Sequence, residues 1–248
     1  MPAGITLLCL PCAGASATMY LRWRRALPAW IRIEPLELAG RGSRIADPFS
    51  RDFSSAVTDI CARMQPWLGG RYALYGHSMG ALLAYGVAQR LLQAGAPLPR
   101  CLIASGSASP SARDNSRLAR MRGRDDLLDD LRRQGGTPEA VFEDEELLAL
   151  TLAVLGADYA LCLDYAHMGG VRLPVPVHVM GGRRDDIAPE RLRAWQDVAQ
   201  APVTLETFEG GHFFIRDSEP AVLAALTRHL GQTAGAPAPV THASLDPA

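Results

Sequence analysis

The pentapeptide Gly76-His77-Ser78-Met79-Gly80 matches the pattern G-x-S-x-G and lies between two apolar segments. The run YALY before it predicts a strand, and the run ALLAYGVAQRLL after it predicts a helix. A serine on a sharp turn between a strand and a helix exposes its hydroxyl above the sheet, and the flanking glycines let the backbone pass its neighbours closely. The pattern therefore predicts Ser78 as a nucleophile that attacks a carbonyl carbon. The alternative is an ordinary glycine-rich turn.

A serine hydroxyl is a weak nucleophile until a histidine removes its proton. We expect that base to be His212, which follows the last predicted strand in the segment EGGHFF; a turn histidine after a Gly-Gly pair is the alternative. His77 is adjacent to the serine, but its side chain should point away from the hydroxyl at such a turn. The other histidines fall in a strand, a late helix, the C-terminal segment and the insertion before the fifth strand that is predicted below to form a lid: His178, His229, His242 and His167.

The histidine needs an acidic residue that orients it, and two adjacent aspartates follow the fifth predicted strand. The spacing from Gly182 and the proline four residues further on, Pro189, favour Asp185. Asp186 is the first alternative. An acidic residue here would also suit the amino end of the helix predicted over residues 189–199, so one aspartate could serve each role.

Attack on a carbonyl also needs backbone amides that stabilise the tetrahedral oxyanion. The residue after the nucleophile, Met79, supplies one of them. We expect the second from Ala13, in the small-residue segment LPCAGAS that follows the first predicted strand. A plain Gly-Ala turn is the alternative for that segment.

Short apolar runs alternate with longer periodic segments, which predicts an α/β fold with a mostly parallel central sheet and helices on both faces. The predicted strands span residues 5–10, 31–36, 72–75, 101–104, 175–180 and 203–208. The predicted helices span residues 19–27, 53–68, 79–92, 189–199 and 219–230. Ser78, Asp185 and His212 then all follow strands, at the carboxyl edge where parallel sheets place their sites.

The segment between the fourth and fifth strands, residues 106–173, is much longer than a usual crossover, so we expect an insertion within one domain of residues 1–230. Its residues 117–134 are charged and amphipathic, a Gly-Gly-Thr-Pro break follows, and helical spacing resumes at residues 144–155. This pattern predicts a small helical lid. Residues 231–248 are rich in small residues and proline, which predicts a disordered tail.

The chain has 248 residues, 48% of them hydrophobic and 21% charged, with a net charge of −1. This balance is typical of a packed domain and argues against nucleic acid or an anionic membrane as a partner. Five cysteines, with no metal-ligand spacing beyond one C-x-x-C, predict reduced core thiols and no metal site. The N-terminal run lacks the charged region of a secretory signal, so we expect a cytoplasmic protein, and with no unassigned apolar stripe we expect a monomer.

These segments together resemble one family, the type II thioesterases that accompany nonribosomal peptide and polyketide synthases, within the α/β-hydrolase superfamily. The resemblance runs nearly end to end, and GHSMG followed by GGHFF is far more specific than G-x-S-x-G alone. The segments that carry it are PCAGASATMYLRW, ELAGRGSR, YALYGHSMGALLAYGVA, GGRRDD and FEGGHFF. Tyr159 and Tyr165 fall where that family has lid tyrosines. The chain departs from the family's usual histidine, proline and arginine at Cys12, Ala39 and Gly156.

The resemblance implies an α/β-hydrolase fold and hydrolysis of thioesters on the phosphopantetheine arm of carrier proteins. In antibiotic or siderophore biosynthesis this reaction removes aberrant or misloaded acyl groups. The resemblance further implies acyl or peptidyl carrier domains as transient partners, and no cofactor, because the substrate itself carries the phosphopantetheine. A small-molecule carboxylesterase with the same catalytic residues and a non-catalytic binder on the same scaffold are the alternatives.

Arginines on the predicted lid add a hypothesis about partners. Carrier proteins are usually acidic near their phosphopantetheine serine, so a basic lid would steer docking. Interleaved aspartates favour instead a solvated helix face with internal ion pairs. The arginines are Arg117, Arg120, Arg122, Arg124, Arg132 and Arg133, and the aspartates are Asp125, Asp126, Asp129 and Asp130.

Overall fold

A computed structural model describes residues 4–121, 123–167, 169 and 172–234. The strands are β1 (Ile5–Leu10), β2 (Ile31–Pro35), β3 (Tyr72–His77), β4 (Leu102–Ser105), β5 (Val177–Gly182) and β6 (Thr204–Phe208). They form one sheet of order β2-β1-β3-β4-β5-β6, and every neighbouring pair is parallel. The predicted parallel α/β sheet is confirmed, and each strand starts within two residues of its predicted start.

Helices cover both faces of this sheet, as predicted. They are α1 (Phe53–Arg63), α2 (Gln65–Leu68), α3 (Met79–Gln93), α4 (Arg124–Gln134), α5 (Glu139–Glu143), α6 (Glu145–Asp164), α7 (Pro189–Arg193), α8 (Phe214–Asp217) and α9 (Glu219–Ala234). Successive residues of a strand point to opposite faces. Leu8 and Leu10 of β1 therefore join the core under α1, α3 and α6, whereas Leu7 and Cys9 join the core under α9.

Three of the predicted helices differ from the observed ones in type or continuity. The helix predicted over residues 53–68 is two helices, because the chain leaves helical geometry at Met64 and Pro66 then occupies the first turn of α2, where its missing amide is tolerated. The segment predicted over residues 19–27 is a 3-10 helix, Ala17–Arg25, that Ser16 caps by accepting the amide of Thr18. The segment predicted over residues 189–199 begins as α7 and continues as a 3-10 helix, Ala194–Val198.

The last helix runs past its predicted end at residue 230 and continues to Ala234. Gly231 does not end it, because the following turn is held in place: Thr233 is buried, and its hydroxyl donates to the carbonyls of Leu230 at 3.1 Å and His229 at 3.3 Å. Residues 235–248, and with them most of the predicted tail, lie outside the described residues.

The long segment between β4 and β5 folds into helices, as the lid prediction required. The predicted start of its first helix at residue 117 is wrong: a 3-10 helix, Leu118–Arg120, comes first, and α4 begins only after Met121 and Gly123, which are extended. Gly135 and Gly136 have φ values of 68° and 86°, and the helix α4 ends before them, at the position that the sequence predicts. Helix α6 then runs to Asp164, well past the predicted end at residue 155.

Within the described part of the chain, α6 is the one helix long and apolar enough to cross a membrane, with a mean hydropathy of 1.7 over its best window. Its inner face is packed into the core through Leu148, Leu152 and Leu155. Asp158 interrupts its apolar run and is fully buried. A core helix of a domain can be as long and as apolar as a membrane span, and these three leucines pack into the core of this domain.

Candidate active site

The turn between β3 and α3 carries Ser78 in a conformation that L-residues rarely adopt. Its φ of 56° is the one positive value among the described residues other than glycine. A Cβ added to Gly76 would lie 2.0 Å from the carbonyl oxygen of Gly80, and one added to Gly80 would lie 2.2 Å from that of Leu10. The two flanking positions therefore accept only glycine, and the turn is the sharp elbow that the sequence pattern predicts.

His212 and Asp185 come together at the same edge of the sheet from two different loops. Nδ1 of His212, just after β6, lies 2.9 Å from Oδ2 of Asp185, just after β5. The side chain of Asp185 is 6% exposed and that of His212 is 19% exposed. Asp186 is exposed, so the structure selects Asp185 as the carboxylate that engages the imidazole.

All five residues predicted for the site line one cavity of about 540 Å³. Its floor is formed by the strand-end loops with Ala13, Ser78, Met79, Asp185 and His212. Its opposite wall is formed by the lid, which contributes Arg117, Gln134, Tyr159 and Cys162 among others. A ligand bound against Ser78 would therefore lie between the sheet edge and the lid.

The hydroxyl of Ser78 makes no hydrogen bond to His212 among the described residues, although both line the cavity. Catalytic hydrogen bonds are often long in unliganded sites and shorten when substrate binds. Because Asp185 engages Nδ1 of His212, Nε2 is the nitrogen that remains available to accept a proton.

His77, the other histidine beside Ser78, is fully buried and does not line the cavity. Its Nδ1 lies 3.0 Å from the hydroxyl oxygen of Ser105, and its ring packs 5.1 Å from that of His212. Burial lowers the pKa of His77 well below its usual value, so the ring is neutral at neutral pH. As the sequence predicted, its side chain is turned away from the cavity that Ser78 lines; its packing against His212 was not predicted.

The segment that carries Ala13, residues 11–16, is called the oxyanion loop below. Met79 is the first residue of α3, and the amides of a helix's first turn have no acceptor within the helix. The oxyanion loop is held at two points: Asp158 accepts the amide of Gly14 at 2.8 Å, and Glu37 accepts the hydroxyl of Ser16 at 2.5 Å. Both candidate donors thus lie on backbone that neighbouring structure fixes.

Two cysteines also line the cavity, at Cys12 and Cys162. Burial raises the pKa of Cys12 to about 12 and that of Cys162 to about 11. The thiolate is the reactive form of cysteine, so neither thiol competes as a nucleophile at neutral pH. All five cysteines are free, and no cluster of potential metal ligands is found among the described residues.

Asp130 holds the lid together, a role that the sequence did not reveal. Its carboxylate is buried, accepts the hydroxyl of Tyr159 at 2.6 Å and the side-chain amide of Gln134 at 2.7 Å, and pairs with Arg117 and Arg133. Burial raises the pKa of Asp130, but these hydrogen bonds outweigh it and lower the pKa to about 2. The carboxylate is therefore ionised at neutral pH and binds α4 to α6.

The other lid residues singled out in the sequence have varied roles. Arg124 pairs with Glu145, and the guanidinium of Arg132 lies over the ring of Phe142. Arg117, Arg124 and Arg133 thus make ion pairs within the lid, whereas Arg120, which is exposed and lines the cavity, makes none within the described residues. Tyr165 packs against Phe53. Arg122 lies outside the described residues.

A family model for the thioesterase domain matches residues 5–230. The chain belongs to the thioesterase family. Among curated relatives of this thioesterase, Thioesterase PikA5 of Streptomyces venezuelae is 32% identical over 95% of this chain and 84% of its own length.

Solved structures agree with this assignment. The type II thioesterase BorB from the borrelidin biosynthetic cluster is 33% identical, with a TM-score of 0.81, over 93% of this thioesterase and 95% of BorB. ClbQ from the colibactin NRPS/PKS pathway is 29% identical, with a TM-score of 0.86, over 93% of this chain and 98% of ClbQ. The resemblance to type II thioesterases and the α/β-hydrolase fold, both inferred from the sequence, are confirmed.

Proposed function

We propose that this thioesterase removes aberrant or misloaded acyl groups from the phosphopantetheine arm of carrier proteins in nonribosomal peptide or polyketide synthesis. Ser78 is the nucleophile, His212 the general base and Asp185 the residue that orients it, while the amides of Ala13 and Met79 form the oxyanion hole. The observation that carries the proposal is the convergence of these residues from four loops on one cavity under a lid. The similarity to type II thioesterases of such pathways supports the substrate class.

The reaction proceeds in two stages. Oγ of Ser78 attacks the thioester carbonyl carbon while Nε2 of His212 accepts the hydroxyl proton, and the two amides stabilise the oxyanion that forms. The tetrahedral intermediate collapses, the carbon–sulfur bond breaks, and the pantetheine thiol leaves with the proton from His212. Water then loses a proton to His212 and attacks the acyl ester on Ser78, which releases the carboxylic acid and restores the serine.

The position of the cavity suits a long, thin substrate arm. A pantetheine chain would enter between the lid and the strand-end loops, so the carrier domain would remain outside and make only a small, transient contact. Among the exposed arginines that line this cavity, Arg133 pairs with Asp130, whereas Arg120 on the lid and Arg184 on the β5 loop make no ion pair within the described residues. We propose that these two, rather than the internally paired Arg117 and Arg133, attract an acidic carrier.

The decisive experiment loads a carrier protein with several different acyl groups and follows each by mass spectrometry with and without the enzyme. We expect loss of the acyl mass with the wild-type chain and no loss with Ser78→Ala. A rate on p-nitrophenyl esters that equals or exceeds the rate on acyl-pantetheine thioesters of the same chain length would favour a carboxylesterase instead. Unchanged product formation in cells carrying Ser78→Ala would favour a non-catalytic binder.

The remaining expectations from the sequence are part of the same proposal. We propose that the enzyme acts in the cytoplasm and as a monomer. We also propose that it needs no cofactor or metal, because the substrate itself carries the reactive thioester. Sedimentation of the purified chain tests the oligomeric state, and full activity after treatment with EDTA would support a reaction that needs no divalent metal.

A further inference from the structure

Two sequence motifs that the proposed chemistry leaves unexplained meet inside the protein. Arg41 belongs to the segment ELAGRGSR, and Asp158 ends the lid segment Gly156-Ala157-Asp158. Their side chains form a two-pronged ion pair in which Nη1 of Arg41 donates to Oδ2 and Nη2 donates to Oδ1 of Asp158, each at 2.6 Å. The arginine side chain is 6% exposed and the aspartate side chain 0%.

This buried pair also holds the oxyanion loop. The same Oδ2 of Asp158 accepts the amide of Gly14 at 2.8 Å, and Nη1 of Arg41 lies 3.4 Å from the carbonyl oxygen of Ala15. Gly14 has a φ of 76°, and a Cβ added there would lie 3.2 Å from Cδ1 of Leu155, one turn before Asp158 in α6. Helix α6 therefore lies against the loop, with the side chain of Leu155 beside Gly14 and the carboxylate of Asp158 bonded to the amide of Gly14.

Fixing the amide of Gly14 fixes the neighbouring candidate donor. The carbonyl group of Ala13 and the amide of Gly14 belong to one planar peptide unit, so a hydrogen bond to that amide sets the rotation of the Ala13 backbone. The amide of Ala15 closes the same turn by donating to the carbonyl of Cys12 at 3.2 Å. The carbonyl of Cys12 and the amide of Ala13 belong to one planar peptide unit, so this bond restrains the candidate donor itself.

Stability alone is a poor explanation for such a pair. Removing two charges from water is costly, and buried ion pairs can often be replaced by apolar side chains with no loss of stability. The pair instead orients the oxyanion loop, because one carboxylate oxygen of Asp158 accepts hydrogen bonds from both the guanidinium of Arg41 and the amide of Gly14.

We propose that Asp158, held in place by Arg41, is a positioning residue for the oxyanion hole, so that the hole is complete only when helix α6 of the lid is seated. The inference rests on the proposed function, in which Ala13 supplies an oxyanion donor. It assigns a role to the arginine and aspartate of two motifs that contact neither the nucleophile nor the base.

The test compares Asp158→Ala, Asp158→Asn and Arg41→Lys with the wild type on an acyl-pantetheine thioester. A hydrogen bond made only in the transition state changes kcat and leaves KM nearly constant. Loss of one oxyanion donor lowers kcat roughly 100-fold, so we expect a fall of about that size for Asp158→Ala. Asp158→Asn keeps an oxygen acceptor for Gly14, and Arg41→Lys keeps the charge, so both should retain intermediate activity.

The inhibition constant of a trifluoromethyl ketone analogue of the substrate gives a second measurement. It would stay unchanged if Asp158 contributed only to the stability of the fold. The ketone forms a tetrahedral adduct with the serine, so its inhibition constant should rise by the same factor as kcat falls. Asp59→Asn is the matched control, because it breaks the paired contact of Asp59 with Arg44, at 2.5 and 3.0 Å, away from the cavity. We expect that control to leave kcat and the inhibition constant unchanged.

The outcomes separate this inference from the function on which it rests. Wild-type kcat in Asp158→Ala, or a rise in KM at constant kcat, would overturn the positioning role while leaving the hydrolase intact. Full activity of Ser78→Ala, or a wild-type enzyme that does not bind the ketone, would overturn the proposed function itself. If Asp158→Ala does not fold, the two conservative variants carry the same comparison.

Discussion

Gly76 and Gly80 face one another across the turn that carries Ser78, so closely that a Cβ on Gly76 would lie 2.0 Å from the carbonyl oxygen of Gly80. Backbone atoms on both sides of the turn leave no room for adjustment. The tightness of the elbow therefore follows from packing between β3, α3 and β1, and the strained φ of Ser78 is a consequence of it.

This contact predicts that Gly80→Ala destabilises the protein severely. The new methyl group would meet the carbonyl oxygen of Leu10 at 2.2 Å, and such a backbone clash should lower the free energy of unfolding by roughly 3 kcal/mol or more. Urea denaturation measures the change. The matched control is Gly69→Ala, at a position with a φ of −77° and no atom within 4 Å of the added Cβ, for which we expect nearly wild-type stability.

The bond between His212 and Asp185 predicts different effects at two adjacent aspartates. Asp185→Asn replaces the carboxylate that holds Nδ1 of His212, so kcat should fall roughly 10³- to 10⁴-fold while the fold is retained. Asp186→Asn changes an exposed side chain and should keep kcat within about twofold. Steady-state kinetics on an acyl-pantetheine thioester decide the matter, and equal losses in the two variants would contradict the assignment.

The buried thiols predict resistance to cysteine reagents. With a pKa of about 12, Cys12 is ionised to only about 10⁻⁴ at pH 8, so iodoacetamide should leave hydrolysis intact over hours. A fluorophosphonate, which reacts with activated serines, should abolish activity in the wild type and should not label Ser78→Ala. Inactivation by iodoacetamide that Cys12→Ser prevents would show instead that a thiol participates.

A stacked histidine pair that does not line the cavity predicts a pH-dependent stability. The rings of His178 and His229 lie 3.9 Å apart; His178 contacts Thr204 at 2.7 Å, and His229 contacts Glu206 at 2.5 Å. Burial, reinforced by His229 and opposed by Glu206, lowers the pKa of His178 to about 4. Burial also lowers the pKa of His229, although Glu206 opposes it.

Because the folded protein holds His178 neutral, the unfolded chain binds more protons between pH 6.5 and pH 4, and stability falls as the pH is lowered through that window. We expect a loss of about 2 kcal/mol from this residue between pH 7 and pH 4.5. Urea denaturation across that range should show a smaller loss for His178→Asn. His167→Asn removes an exposed histidine and should retain the wild-type profile; identical profiles for all three proteins would refute the prediction.

Much of the site could be predicted from the sequence because the parallel sheet supplies a strong rule. Once the apolar runs are read as parallel strands, the loops of Ser78, Asp185 and His212 must share one edge, and the structure brings these residues to one cavity. Spacing in the sequence favoured Asp185 over Asp186 but did not decide between them, because the side chains of adjacent residues in a turn differ mainly in the direction in which they point. The structure shows which of the two contacts His212. The type of the helix at Ala17–Arg25 also escaped prediction, because α and 3-10 segments have similar composition.

The contacts that hold the lid could not be predicted, because they join residues with no shared local pattern. Arg41 and Asp158 are 117 residues apart, and Asp130 meets Tyr159 across 29 residues. A lone aspartate within the apolar sequence of α6 was the available signal, since a carboxylate on the buried face of a helix needs a partner. The sequence did not indicate which cation that partner would be.

The pairing of Arg41 with Asp158 also limits how lids can be exchanged between homologues. Arg41 belongs to the scaffold and Asp158 to the insertion, so a chimera whose donor lacks the carboxylate would bury a guanidinium without a counterion. Removing one partner of a buried pair costs about 3–5 kcal/mol, a large part of the stability of an ordinary domain. Lid transplants in this family would have to carry residues 41 and 158 together, as one inherited unit.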